Sequence, residues 1–202
     1  MVRNLNPQVK YIGSDDLTLD LFESQYIVPE GVSYNSYLIT DSKTAILDTS
    51  DARKADEWKE SLREALDGRE PDYLVVHHME PDHSALIKWV LDTYPAATLV
   101  AGAQALRMLP QFFEDINLDG RTLAVKEGDV LLLGTHSLRF VAAPMVHWPE
   151  VVMTWDEADK VLFSADGFGK FGANDREDPE GWDCEARRYY FGIVGKYGAQ
   201  VQ

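Results

Sequence analysis

Three histidines and three carboxylates stand in this sequence at the spacing of a metal centre. His78, Glu80, Asp82 and His83 fall in the string VVHHMEPDHSALIKWV, His147 comes later, and Asp166 follows it after eighteen intervening residues. The first four read H-x-E-x-D-H. Imidazole nitrogens and carboxylate oxygens both bind divalent first-row metals, and six such donors exceed what one tetrahedral ion accepts. The set suits two ions sharing a bridging ligand. Three carboxylates with one hydroxide roughly neutralise two divalent cations, which a partly buried centre needs. Carboxylate-rich, thiolate-free donors favour iron, and zinc or manganese fit the same atoms. Glu80 and Asp82 have a competing role as acidic caps on a helix beginning near Ser84. That role leaves His147 and Asp166 unexplained.

These donors need rigid elements to bring them together. A β-like run, Tyr73-Leu74-Val75-Val76, precedes the tetrad, and a helical pattern from Ser84 to Leu91 follows, ending near Tyr94-Pro95. His78 and Glu80 share a face in extended chain, and Pro81 carries Asp82 and His83 round toward a second ion. His147 follows the strand-like run Phe140–Met145, and Asp166 follows Val161-Leu162-Phe163, so both lie where a strand leaves the core. Further strands are expected at Val9–Ile12, Leu17–Phe22, Ser36–Thr40, Thr44–Leu47, 98–101, 121–125, 129–133, 137–142, 151–155 and 160–163. Asp51 reads as the N-cap of a helix over Ala52–Leu66 closed by Asp67-Gly68, a short helix covers 103–109, and the segment Gly181 to Val194 reads as helical. Strands, then strands interleaved with helices, then strands again predict an α/β fold of two sheets with helices on their outer faces.

Composition narrows the function classes. The 202 residues are 45% hydrophobic, enough for one sizeable core. Nineteen Lys and Arg against 34 Asp and Glu give a net charge of −15, which repels nucleic-acid backbones and anionic lipid. No nucleic-acid or membrane partner is expected. The single cysteine, Cys184, rules out an internal disulfide and fits a reducing compartment. The N-terminal residues form no apolar leader, and no run approaches about 18 apolar residues, so a soluble cytoplasmic protein is expected.

The ligand pattern resembles that of the flavodiiron proteins, whose catalytic domain has the metallo-β-lactamase-like αββα fold. Hydrolases of that fold usually have a histidine where this chain has Glu80. The resemblance extends to GVSYNSYLITDSKTAILDTSD (31–51), HWPEVVMTW (147–155), LFSADGFGKFG (162–172) and ARRYYFGIVGKYG (186–198). It implies that residues 1–202 form a di-iron domain, with one iron held by His78, Glu80 and His147, the other by Asp82 and His83, and Asp166 bridging. It implies an oxidoreductase that reduces dioxygen to water and/or nitric oxide to nitrous oxide. Electrons would come from FMN or a rubredoxin-type donor across a head-to-tail homodimer. The family's second iron takes a further histidine in a His-Gly-Pro context, and an FMN-binding flavodoxin domain follows. Neither lies in these 202 residues, so the expectation is a chain with its C-terminal part incomplete and inactive by itself.

Two rivals stay open at this point. One is a metal-dependent hydrolase, a thioesterase or lactonase in which a metal-bridging hydroxide attacks a carbonyl. The other is a catalytically silent metal-binding or oxygen-sensing module. Among the remaining residues, His77 is expected to pack or hydrogen-bond on the opposite face, and His136 to be a turn residue. Trp148 and Trp155 either wall the site or fill core. Gly167, Gly169 and Gly172 match G-x-G-x-x-G, but no helix clearly starts after Asp166, so they read as close backbone approach near the metals. Cys184 reads as a structural thiol.

Overall fold

The computed structural model describes residues 2–174 and 181–202. Two sheets form its centre. The larger has seven strands in the order Arg3–Asn4, Val9–Tyr11, Tyr37–Thr40, Thr44–Leu47, Tyr73–Val76, Thr98–Gly102, Thr122–Val125. Its first four strands pair antiparallel, and the last four run parallel. The smaller is an antiparallel meander of four: Val130–Leu132, Ser137–Ala142, Val152–Asp156 and Val161–Phe163.

Strand alternation distributes the apolar residues between two cores. Leu47, Val75 and Val100 from the large sheet meet Leu138, Phe140, Val152 and Phe163 from the small one, which closes the sandwich. Leu38, Ile46, Leu74 and Leu99 point outward instead and bury the helices Ala55–Leu66, Ile87–Thr93 and Ala103–Phe112 through Trp58, Leu62, Val90 and Leu109. Burying each such side chain stabilises the fold by about 1.5–3 kcal/mol. A third cluster lies at the site end of the small sheet, where Met153 and Val151 pack with Phe171, Tyr189, Ile193 and Val194. The C-terminal helix Trp182–Tyr189 and the π-helical turn Tyr190–Val194 therefore cover one end of that sheet. At the far end Leu132 is 67% exposed. Among the described residues the C-terminal segment supplies the helical cover of the smaller sheet, in keeping with the two-sheet, helix-covered class that the sequence predicts.

Local chemistry shifts several expected boundaries. Leu17–Phe22 is not a continuous strand: only Leu21–Phe22 pairs, with Tyr26–Ile27, because Asp16 turns the chain by accepting the Thr18 N–H. The helix expected from Ser84 begins earlier, as one turn at Pro81–Ser84 with proline at its first position. It resumes as Ile87–Thr93. The helix after Gly102 runs through Pro110 to Phe112. Asp51 does cap its element, accepting the Arg53 N–H at 2.8 Å, and Asp67 closes the following helix in the left-handed conformation.

Candidate metal centre

The six predicted donors lie at one end of the sandwich, on three structural units. Strands Thr44–Leu47 and Tyr73–Val76 run parallel as neighbours and finish together, so Asp48 and the pair His77–His78 emerge side by side. The single turn Pro81–Ser84 carries Asp82 and His83 back over that edge. Thr49 fixes the turn: its N–H and hydroxyl both donate to the His83 carbonyl at 2.8 Å. From the small sheet come His147, in the loop before Val152–Asp156, and Asp166, in a short 3-10 turn at Ala165–Phe168. The Val152 N–H donates to the His77 carbonyl at 3.1 Å and joins the two sheets at the site.

Four donors converge on one point. Ligand atoms of His78, Glu80, His147 and Asp166 all lie within 4.8 Å of one another. His147 Nε2 is 3.0 Å from Glu80 Oε2 and 3.3 Å from Asp166 Oδ2, and His78 Nε2 is 3.4 and 3.5 Å from the same two oxygens. Ligands about 2.1 Å from a tetrahedral ion stand roughly 3.4 Å apart, so these separations fit a metal. Asp82 and His83 adjoin this group through Asp166, whose Oδ1 lies 2.9 Å from His83 Nε2, while His83 and Asp82 are 4.0 Å apart. Glu80 occupies the N-cap position of the Pro81–Ser84 turn yet makes no side-chain capping bond. Its carboxylate faces the histidines instead, which disposes of the capping role.

The orphaned atoms point the same way. Within the site, His78 Nε2, Asp82 Oδ1 and Asp166 Oδ2 are buried without a hydrogen-bond partner. Leaving such groups unpaired costs about 1–3 kcal/mol each, and a cation within the quartet would satisfy His78 Nε2 and Asp166 Oδ2. Electrostatics shows the same tension. Burial works to lower the His78 imidazole, but hydrogen bonds with Glu150 and Glu80 outweigh it and raise it to about 9. His147 rises to about 10 against the same burial, through Asp166 and Glu80. Burial opposes ionised Glu80, yet hydrogen bonds from His147 and His78 bring it down to about 2. Asp82 is driven up to about 7 by burial, with the charges of Asp166 and Glu80 adding to it.

Two carboxylates behind the cluster were not singled out from sequence. Asp48 accepts from the His77 backbone N–H at 2.7 Å and from its ring at 2.9 Å, and its Oδ2 lies 3.4 Å from His83 Nδ1. Glu150 accepts from His78 Nδ1 at 2.7 Å. Both sit in motifs already noted, Asp48 just past a strand and Glu150 three residues after His147, which is the only sequence signal for them. His77 faces away from the donors, as alternation predicts, and its Nε2 meets Thr154 Oγ1 at 2.9 Å. Trp148 walls the site edge-on to His78, ring centroids 5.2 Å apart. Trp155, two residues past Met153 on the outer face, takes no part.

Three expectations need correction. His136 is no simple turn residue: it is buried, 2.8 Å from Asp156 Oδ2 and 3.2 Å from Gln8 Oε1, so hydrogen bonds occupy both ring nitrogens. Cys184 is exposed and cannot be a packed thiol. The glycine that follows the 3-10 turn bearing Asp166 answers to a side chain rather than to the metals: a Cβ on Gly169 would lie 2.6 Å from the Tyr189 ring. A cavity of about 300 Å³ opens onto Asp82, His83 and Asp166 between Tyr37, Phe168 and Tyr189.

A family model described as ODP family beta lactamase matches residues 32–185. The chain is 39% identical over 165 residues to diflavin flavoprotein A 1 of Synechocystis, covering 81% of this chain and 28% of that one. It is 31% identical over 208 residues to the anaerobic nitric oxide reductase flavorubredoxin of Vibrio vulnificus, covering 100% of this chain and 42% of that one. Among solved structures, the rubredoxin oxygen:oxidoreductase of Desulfovibrio gigas superposes with a TM-score of 0.92 at 26% identity, covering 99% of this chain and 51% of that one. The flavodiiron protein of Giardia intestinalis gives 0.89 at 28%, with 99% and 49% covered. The chain thus spans between about a quarter and a half of the length of these relatives.

Proposed function

Because this chain belongs to the ODP family of beta-lactamase-like proteins, in its flavodiiron branch, we propose that its converged side chains hold two iron ions. His78, Glu80 and His147 would serve one ion and Asp82 and His83 the other, with Asp166 between them, all within one domain. The observation that carries this is the convergence of four donor atoms within 4.8 Å together with unpaired buried atoms on His78, Asp82 and Asp166. The protein of which this domain is the metal-binding part then reduces dioxygen to water, nitric oxide to nitrous oxide, or both. Similarity to an oxygen:oxidoreductase and to a nitric oxide reductase supports that pair of substrates.

When bound, reduced iron would supply the electrons for reduction of a diatomic molecule. The chain's own residues set the conditions. Glu80, Asp82 and Asp166 offset the cationic charge in a site whose histidines are almost fully buried. Asp48 and Glu150 orient His83 and His78. Tyr37, Phe168 and Tyr189 line the cavity to Asp82 and Asp166 and restrict water there. At its mouth Trp182 is 54% exposed and, with Phe191 at 76%, forms an apolar face. Large exposed apolar patches mark interaction surfaces, and this one suits an FMN-bearing electron donor or rubredoxin, presented across a head-to-tail dimer. No described helix is long and apolar enough to cross a membrane, and a free exposed thiol at Cys184 accords with a cytoplasmic setting.

Anaerobic loading with iron(II) and elemental analysis test the reading, followed by mixing with dioxygen or nitric oxide. Two irons per chain are expected, with gas consumption by the whole protein of which this domain is part. Zinc uptake with turnover of thioesters or lactones, and no gas consumption by the iron-loaded form, would replace it with the hydrolase.

A further inference from the structure

The two imidazoles His78 and His83 are supported unequally from behind. His78 Nδ1 lies 2.7 Å from Glu150 Oε1, which also accepts the Met79 N–H at 2.9 Å. Both side chains of that pair are wholly buried. Among the described residues His78 is the one ion-pair partner of Glu150, and Glu150 Oε2 is buried without a hydrogen bond. Behind His83 the matching contact, to Asp48, stretches to 3.4 Å, and Asp48 gives its shorter bonds to His77. The donors in front differ as well. His78 Nε2 shares two oxygens with His147 Nε2, all at 3.0–3.5 Å, whereas His83 has Asp166 at 2.9 Å and Asp82 only at 4.0 Å.

We propose that Glu150 is a positioning residue that makes the His78 side of the centre the first and tightest to take up a metal ion. This inference rests on the metal-centre reading above. A metal at Nε2 needs the ring proton on Nδ1, and the carboxylate holds it there while fixing the ring plane. A buried anion with no lysine or arginine paired to it among the described residues also makes Nε2 a stronger donor. Its charge is then offset by the ion across the imidazole. Asp48, already engaged by His77, gives His83 less of both effects. The centre therefore fills in order.

Glu150→Gln keeps the size and the acceptor oxygen and removes the charge. Metal-free chain, unsubstituted and E150Q, is titrated with cobalt(II) against a chromophoric chelator. The first equivalent should weaken about 10–100-fold in E150Q, with the second unchanged, and Glu150→Asp should recover part of the loss. A purely structural role would lower the thermal midpoint of the metal-free protein and leave the affinity of the folded form alone. Should E150Q fail to fold, the unsubstituted zinc-loaded protein carries the test: long-range proton–nitrogen correlation should find the His78 proton on Nδ1. Equal first affinities, or a His78 proton on Nε2, overturn the inference alone. No uptake by the unsubstituted chain overturns it together with the metal-centre reading.

Discussion

At the scale of single residues, the metal-free site is a set of charges that hold one another. His78 and His147 are raised to about 9 and about 10 from an ordinary 6.5. A group whose folded value is raised stabilises fully below its unfolded value, and that stability is lost as pH rises through the folded one. The metal-free protein should therefore lose thermal stability between pH 7 and pH 10, while the loaded form stays level there, as calorimetry across that range would register. Glu80 works in the opposite sense. Depressed to about 2 from 4.5, it stabilises above its unfolded value, and the contribution fades as pH falls toward 2. Asp166 is the residue on which the proposed pair depends, since among the described carboxylates it alone is paired with both His83 and the His78–His147 group. Asp166→Ala should reduce loading to no more than one ion per chain by elemental analysis, and two retained ions would refute its bridging place.

At the scale of elements, strand ends and one short turn do the positioning. Parallel pairing of Thr44–Leu47 with Tyr73–Val76 sets Asp48 beside His77, and the N–H of Asp48 bonds the Val75 carbonyl at 2.8 Å. Pro81 starts the turn that returns Asp82 and His83, and Thr49 anchors its end. The C-terminal helix is held against the turn bearing Asp166 because Gly169 has no side chain to displace the Tyr189 ring. Gly169→Ala should cost about 1–3 kcal/mol by overpacking. It should also weaken metal retention, because Tyr189 and Asp166 line the same cavity. Denaturant unfolding and chelator competition on that variant measure the two effects, and an unaltered midpoint would show that the helix can shift freely.

At the scale of the whole molecule, two sheets hold donors that are remote in the chain. His78 and Asp166 come from different sheets, and the core between those sheets decides how closely they meet. Leu138→Ala in that core should cost about 2–5 kcal/mol. Leu132→Ser, at a position 67% exposed on the outer face, should change stability by about 0.5 kcal/mol or less. Paired chemical-denaturation curves check the contrast, and equal losses would show that the outer face is covered in solution.

The candidate donor residues and most of the strands that carry them are legible in the amino-acid order, because H-x-E-x-D-H and alternating apolar runs are local patterns. So is the two-sheet class, since the sequence of element types constrains which layers can form. Where the order misled, at Leu17–Phe22, His136 and Cys184, the answer lay in contacts across the fold: an Asp16 turn, a buried partner in Asp156, an exposed helix face. Glu150 and Asp48 were hidden for the same reason. An acid near a histidine in sequence has no direction until strand pairing aims it. The six ligand-type residues are a property of the chain, while their arrangement into one tight quartet and a looser pair came only with the tertiary structure, because packing of the two sheets sets those distances.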